Sequence, residues 1–549
     1  MLQEAAALAK LALPLAVEGI SNVSLPLVTL AFVGRIHASA GPGGARGGGS
    51  PETTSETTPD SSALALSSAV MANSIFTVTG YSVVCGLASA LETLAGAAFG
   101  AGEAPLLGVL WMRALLITLS ACALPALVWV SGAVGPLLVA AGQPPLVAAG
   151  CARYLRLLAP AVFFSTVAET TQNYLLAQSV ALPGMAITLV TLALSVVYNR
   201  ALVVGFGGGG GGAAAGFFGG LGLDGAALAQ VASFATLAAL LTAYRMWRDG
   251  GGVARRRRRR RQEQHQAPLL REGADAANNA NPSTRPEQED VDDANIPCTW
   301  PERGWRTTVG GGVFAGWPVF FRVAYGAVGL VILEWACWEL LVFLAGLLPA
   351  SIDDPEIAVG VAGLAVQMSL PAYMISYAAG TAVSTRVAQG LGAGNALAAA
   401  RSARTALVAI LLVNASLALA MLSARDALPL MFTSDARVAS MAARVVPAIA
   451  ATMLFDGQVA ALTGVLRGTG RQGLGAAAGL VAYYVVGLPL AWLFGFRARM
   501  GVLGLWLAPA CGTALQAVFL HCYVWGGGLD WPKEVRRARR RLQRSGGGG

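Results

Sequence analysis

Long apolar runs separated by short polar or Gly/Pro-rich breaks dominate the chain. A helix crosses about 30 Å of hydrocarbon in about 20 residues. Twelve runs are long enough, at 10–36, 63–88, 106–131, 148–178, 182–204, 222–246, 313–348, 357–385, 398–424, 437–466, 474–496 and 501–525. Each predicts a membrane-spanning helix. Three stretches break the pattern: a Gly/Ser/Thr/Pro/Glu-rich insert at 38–62, Gly207–Gly212, and 249–300, where seven arginines (Arg255–Arg261) precede an Asn/Pro/Asp/Glu-rich segment. None has the apolar periodicity needed to bury a core, so all three are expected to lack regular structure. The expected organisation is an N-terminal half, 1–248, carrying the insert, then a linker at 249–312, a C-terminal half at 313–525 and a basic tail at 526–549. The first span starts almost at the first residue, and no cleavable leader is expected ahead of it.

The two halves repeat one another. Ala90-Leu-Glu-Thr-Leu-Ala-Gly-Ala-Ala-Phe-Gly-Ala-Gly-Glu103 aligns without a gap on Ala382-Val-Ser-Thr-Arg-Val-Ala-Gln-Gly-Leu-Gly-Ala-Gly-Asn395, and Ala90, Thr93, Gly100, Ala101 and Gly102 match their partners. Gln172 and Leu176 align with Gln458 and Leu462. Six spans per half give both halves the same orientation, so the repeat is parallel, with its pseudo-two-fold along the membrane normal. The predicted fold is an all-α polytopic membrane protein of twelve helices in two six-helix lobes. Two like bundles face to face suit alternating access.

Composition narrows the picture. Charged residues make up 12% of the chain and apolar ones 55%, with a mean hydropathy of +0.60. A soluble protein carries about 25% charge, and this chain could not cover itself with so little. The net charge of +9 comes from the arginine run and the tail (Arg536, Arg537, Arg539, Arg540, Arg541, Arg544), which positive-inside topology explains without nucleic acid. Loops on the same side add Arg386, Arg401, Arg404, Arg467 and Arg471, while Asp353, Asp354 and Glu356 fall on the other. The termini and linker are therefore expected in the cytoplasm. Three scattered histidines and seven cysteines without a CxxC pair argue against a metal site, and six of the cysteines read as small core residues. Both lysines, Lys10 and Lys533, are terminal, so no Walker lysine exists, and no enzyme activity, cofactor or metal is expected.

A charge at mid-membrane costs at least ~2.5–3.5 kcal/mol, so each acid within a span needs a reason. They are Glu18, Glu92, Glu169, Glu334, Glu339 and Asp456. Glu18 reads equally as an interfacial acid or a cation site. Glu92 and Glu169 read better as structural acids, the first bridging bundles beside Gly100-Ala-Gly102, the second hydrogen-bonded near Gln172 and Asn173. Leu333-Glu-Trp-Ala-Cys-Trp-Glu339 places two acids and two tryptophans deep in one span. At about 100° per residue, Glu334 shares a face with Trp338, and Trp335 with Glu339, and aromatic faces attract organic cations. Asp456 lies deep in Leu454-Phe-Asp-Gly-Gln458, where Gly457 permits close helix approach. Glu334, Glu339 and Asp456 are the candidate proton or cation site.

The sequence resembles the multidrug and toxic compound extrusion (MATE) transporters, in particular the eukaryotic, plant-type branch. The resemblance is carried by Gly86-Leu-Ala-Ser-Ala-Leu-Glu-Thr-Leu94, Leu333-Glu-Trp335 with Glu339, Leu391-Gly-Ala-Gly-Asn395, Gly464-Val-Leu-Arg-Gly-Thr-Gly-Arg-Gln472 and Ala482-Tyr-Tyr-Val-Val-Gly-Leu-Pro489. It implies two lobes around a central cleft that exports organic cations, xenobiotics or secondary metabolites against proton or sodium entry. It also implies coupling acids in the C-terminal lobe, matching Glu334, Glu339 and Asp456. The chain departs from the family at Ala95-Gly96-Ala97, usually Cys-Gly-Gln, and at Thr77, usually asparagine. Cleft candidates are Trp335, Trp338, Gln458, Tyr483, Asn73 and Gln178. The expected partners are a small-molecule substrate and the lipid bilayer of the plasma or vacuolar membrane, with the protein a monomer. The alternative is a lipid-linked oligosaccharide flippase of the same superfamily, which would need arginines deep in its cleft.

Overall fold

The computed structural model describes residues 2–33, 61–205, 220–277, 314, 316–433 and 435–545. Helices long and apolar enough to span a membrane form at each predicted run. In the N-terminal half these are α1 (Leu2–Val33), α2 (Leu64–Gly100), α3 (Ala104–Ser131), α4 (Pro145–Ala177), α5 (Leu182–Val204) and α6 (Gly222–Asp249). The C-terminal half supplies α7 (Trp317–Ala345), α8 (Ile357–Gly392), α9 (Ala396–Ser423), α10 (Ala436–Gly468), α11 (Gln472–Arg497) and α12 (Gly501–Trp525). Helices α2 and α8 outrun the predicted apolar segments. Their last turns are Gly/Ala-rich, and close packing between small residues overrides glycine's weak helix propensity.

One expectation about the polar stretches needs correction. The helix that begins at Gly222 continues through Arg255–Arg261 to Ala277, so 249–277 is helical. Once α6 has nucleated a helix, Arg, Gln, Glu and Ala need only propagate it, and all four are good helix formers. The rest of the linker to residue 300, most of the 38–62 insert and Gly207–Gly212 lie outside the described residues. The C-terminal tail also contains a helix, α13 (Trp531–Ser545), which buries Val535, Ala538 and Leu542 along one stripe. Among the loop arginines, Arg386 instead lies within α8, Arg401 and Arg404 within α9, and Arg467 within α10. Of the six cysteines read as core, Cys511 and Cys522 are exposed on α12.

The repeat is visible in the backbone. Gly102 and Gly394 turn the chain after α2 and α8 with φ of 76° and 79°, a conformation open to glycine. Each turn closes with the same hydrogen bonds: Gly102 N to Phe99 O and Glu103 N to Ala98 O, then Gly394 N to Leu391 O and Asn395 N to Gly390 O, all 2.9–3.1 Å. Across the halves α1 packs on α8, and its repeat counterpart α7 packs on α2. A Cβ added to Gly100 would lie 2.0 Å from Gln389 O, and one on Gly392 would lie 2.0 Å from Ala97 O. Since 100 aligns with 392 and 97 with 389, the contact is self-complementary, as a two-fold requires. Gly96 meets Ala388, its own repeat partner, which places the axis there.

Candidate functional site

The interface between the halves closes on one face and opens into a cavity behind it. The closed face carries the C-terminal end of α2, the start of α1 and helix α13. Arg386 of α8 grips Glu4 of α1 with two hydrogen bonds of 2.9 and 3.0 Å. Gln389 Nε2 donates to Ala177 O at 2.9 Å. Thr93 Oγ1 donates to Arg467 O at 2.7 Å and accepts from Gln472 Nε2 at 2.9 Å. Glu92 lies 3.7 Å from the Arg467 guanidinium, a buried ion pair between the halves. Arg467 also lies over the Tyr377 ring, 5.5 Å from its centroid.

The central cavity has a volume of about 450 Å³. Its described lining includes five carboxylates, Glu18, Glu92, Glu169, Glu339 and Asp456, and no lysine, arginine or histidine. A ladder of aromatic groups crosses it. Tyr81 ends a π-helical turn in α2, Thr77–Tyr81, and its hydroxyl donates to Glu169 Oε1 at 2.5 Å. The Tyr81 ring stacks on Trp335 at 6.0 Å between centroids, and Trp335 Nε1 donates to the Tyr373 hydroxyl at 3.3 Å. The ladder thus joins an acid of α4 to α7 and α8. Among the described residues, no group of three or more His, Cys, Asp or Glu could hold a metal ion.

A second pocket of about 40 Å³ lies mostly within the C-terminal half, with Ser89 of α2 on its wall. Glu334, Asp456, Tyr373, Tyr483 and Arg467 line it, and Asp456 and Tyr373 also face the large cavity. The three acids singled out in the sequence therefore divide. Glu334 and Asp456 meet in the small pocket, whereas Glu339 faces the large one and receives a long 3.5 Å hydrogen bond from Ser74 of the other half. Gly457 lets α9 approach beside Asp456: an added Cβ would lie 2.1 Å from Asn414 Nδ2, which donates to Met453 O at 2.7 Å.

Trp335, Trp338 and Asn73 line the large cavity, and Asn73 Oδ1 accepts from Gln230 at 3.0 Å. Three cleft candidates do not. Gln458 Nε2 donates to Leu407 O and Gln178 Nε2 to Tyr174 O, each at 3.1 Å, so both amides serve buried helix carbonyls. Tyr483 belongs to the small pocket alone. Sequence reasoning missed Tyr81, Tyr373 and Arg467. The signal for Arg467 was present, since it lies in a run of glycines that brings helices together. Tyr81 and Tyr373 carry no charge to mark them within their spans.

A family profile described as MatE matches residues 60–200 and 328–493. The chain is 30% identical to Protein DETOXIFICATION 14 of Arabidopsis thaliana over 479 residues, 87% of this chain and 84% of that one. It is 28% identical to Protein DETOXIFICATION 38 of the same plant, over 87% of this chain and 80% of the relative. The crystal structure of the eukaryotic MATE transporter AtDTX14 superposes with a TM-score of 0.75 at 28% identity, covering 98% of this chain and 99% of that one. The Vibrio cholerae MATE transporter VcmN in its bent form shares the fold, with a TM-score of 0.66 at 17% identity over 98% and 99% of the two chains.

Proposed function

The chain belongs to the multidrug and toxic compound extrusion family of membrane efflux transporters, and from that premise we propose that it is a secondary antiporter, exporting organic cations in exchange for protons. The observation that carries this reading is the sign of the cavity: five carboxylates and no base among its described lining residues. Such a space favours a cation, and aromatic faces beside it add attraction for one with an organic body. A flippase for an anionic amphiphile would need the opposite lining.

Coupling is assigned to Glu334 and Asp456. Their pocket, about 40 Å³, has room for little beyond an ion or a water molecule. Asp456 borders both spaces, so its charge state acts on both ligands. A cation in the large cavity favours the ionised acid, a proton favours the neutral one, and the two ligands compete reciprocally. Membrane potential supplies about 2.3 kcal/mol per charge per 100 mV. The arginine pattern supports a cytoplasmic location for the termini and for 249–300. No cofactor beyond the coupling ion and no second copy of the chain enters this scheme.

Proteoliposomes with an imposed proton or sodium gradient test it. Glu334→Gln and Asp456→Asn should insert normally and lose gradient-driven efflux. Glu339→Gln should be milder, because it lies about 140° from Glu334 around α7 and faces the other space. Wild-type efflux from both Glu334→Gln and Asp456→Asn would remove coupling from this pocket.

A further inference from the structure

Two acids of the N-terminal half remain without a task. Glu18 is 2% exposed, it lines the large cavity, and neither of its carboxylate oxygens has a hydrogen-bond partner among the described residues. Space for it is built in: an added Cβ at Gly184 of α5 would lie 3.2 Å from Glu18 Oε2. Glu169 faces the same cavity, with one oxygen taken by Tyr81. Each acid has an amide about one helical turn further on, Asn22 after Glu18 and Gln172 after Glu169, and both line the cavity. The Asn22 side-chain oxygen is likewise buried without a partner. An unpaired buried carboxylate costs stability, and one aimed into an open space implies something that occupies that space.

We propose that Glu18 and Glu169 form the docking site for the positively charged head of the transported molecule, an organic ammonium or similar cation with an aromatic body. The inference rests on the antiport reading and deepens it, because it places substrate and coupling ion in different halves. Glu334 does not line the large cavity, and neither Glu18 nor Glu169 lines the small one. Of the two spaces, the large cavity is the one with room for an organic molecule. The aromatic body has rings to meet: Tyr81, Phe76 and Phe234 form a cluster, with Tyr81 at centroid distances of 6.5 and 6.3 Å from the other two. The two sites communicate through the Tyr81–Trp335–Tyr373 ladder, whose last member borders the ion pocket. Head-group loading in one half is thereby felt at the acids of the other.

The probe is ethidium, a planar aromatic cation, and its fluorescence polarisation reads binding to the purified full-length protein in detergent at constant pH. Glu18→Gln combined with Glu169→Gln should weaken ethidium binding by about tenfold or more. Asp456→Asn removes one charge that faces the same cavity and should weaken ethidium binding by less than the Glu18→Gln and Glu169→Gln pair does. Glu18 has no hydrogen-bond partner to lose, so Glu18→Gln alone should unfold at or above the parent's temperature, and it serves as the variant if the double exchange fails to insert. Glu18→Asp with Glu169→Asp keeps both charges and should restore most of the affinity. Parent-like binding by the double glutamine protein overturns the proposal. So does loss of binding in the folded aspartate protein equal to that in the glutamine protein, which would mark a structural role. Absence of ethidium binding by the parent, or an equal loss in Asp456→Asn, also overturns it. Failure of the antiport reading would look different: binding intact and dependent on Glu18 and Glu169, with ethidium efflux indifferent to an imposed gradient.

Discussion

Gly100 and Gly360 both lie in long helices, yet the same methyl group meets different surroundings at each. At Gly100 it would lie 2.0 Å from the backbone oxygen of Gln389, whereas at Gly360 nothing lies within 4 Å. A backbone carbonyl cannot step aside as a side chain can, so Gly100→Ala must part the two halves. Overpacking of this kind costs about 1–3 kcal/mol, which displaces the closed arrangement by about 5- to 150-fold. Gly100→Ala should therefore slow efflux markedly in proteoliposomes, and Gly360→Ala should leave it unchanged. Equal rates for the two would show that the Gly100 contact is not needed in the cycle. At this scale the sequence exposed the acids, because a carboxylate in an apolar run is conspicuous. It could not expose their partners. Tyr81 is 88 residues from Glu169, and Arg467 reaches Glu92 from the other half. Contacts between helices depend on rotation and tilt, which the linear pattern leaves open.

Helix α13 fastens both halves on the closed face. Glu534 is buried and accepts from Arg471 at 2.7 Å and from Arg537 at 2.6 Å, tying α13 to the C-terminal half. At its other end Ser545 O accepts from the buried Arg113 of α3, at 3.1 Å. Because buried Glu534 and half-buried Arg471 form a charge pair, their removal should not be additive. A double-mutant cycle with Glu534→Gln and Arg471→Gln, read by thermal unfolding, should give a coupling of about 0.5–3 kcal/mol. Additive effects would mean that the pair does not fasten α13. The sequence reading saw this region only as a basic tail, because three small or apolar residues are faint among so many arginines. The spans themselves were legible, since length and hydropathy alone decide them. The π-helical turns at Thr77–Tyr81 and Leu480–Gly487, which contain Tyr81 and Tyr483, had no signature in composition.

Taken whole, the molecule is two like halves related by a two-fold axis. The halves touch along α1, α2, α7 and α8. Alternating access requires the contacts around the axis to break in each cycle, and Gly96 facing Ala388 is the place to test this. An ideal Cβ on Gly96 would lie 2.9 Å from Ala388 Cβ. Disulfides hold their Cβ atoms about 3.5–4.5 Å apart, so a separation of under about 1 Å would accommodate one. With the native cysteines replaced, Gly96→Cys paired with Ala388→Cys should cross-link under mild oxidation, and efflux should stop. Reductant should restore it, since the reduced side chains leave the halves free to part. Cysteine at either position alone serves as the control for crowding, which acts without oxidant. If the cross-linked protein exports substrate at the rate of its reduced form, the halves do not separate at this point. Transport would then proceed by movements inside one lobe, and the repeat would be a relic of assembly with no part in the cycle.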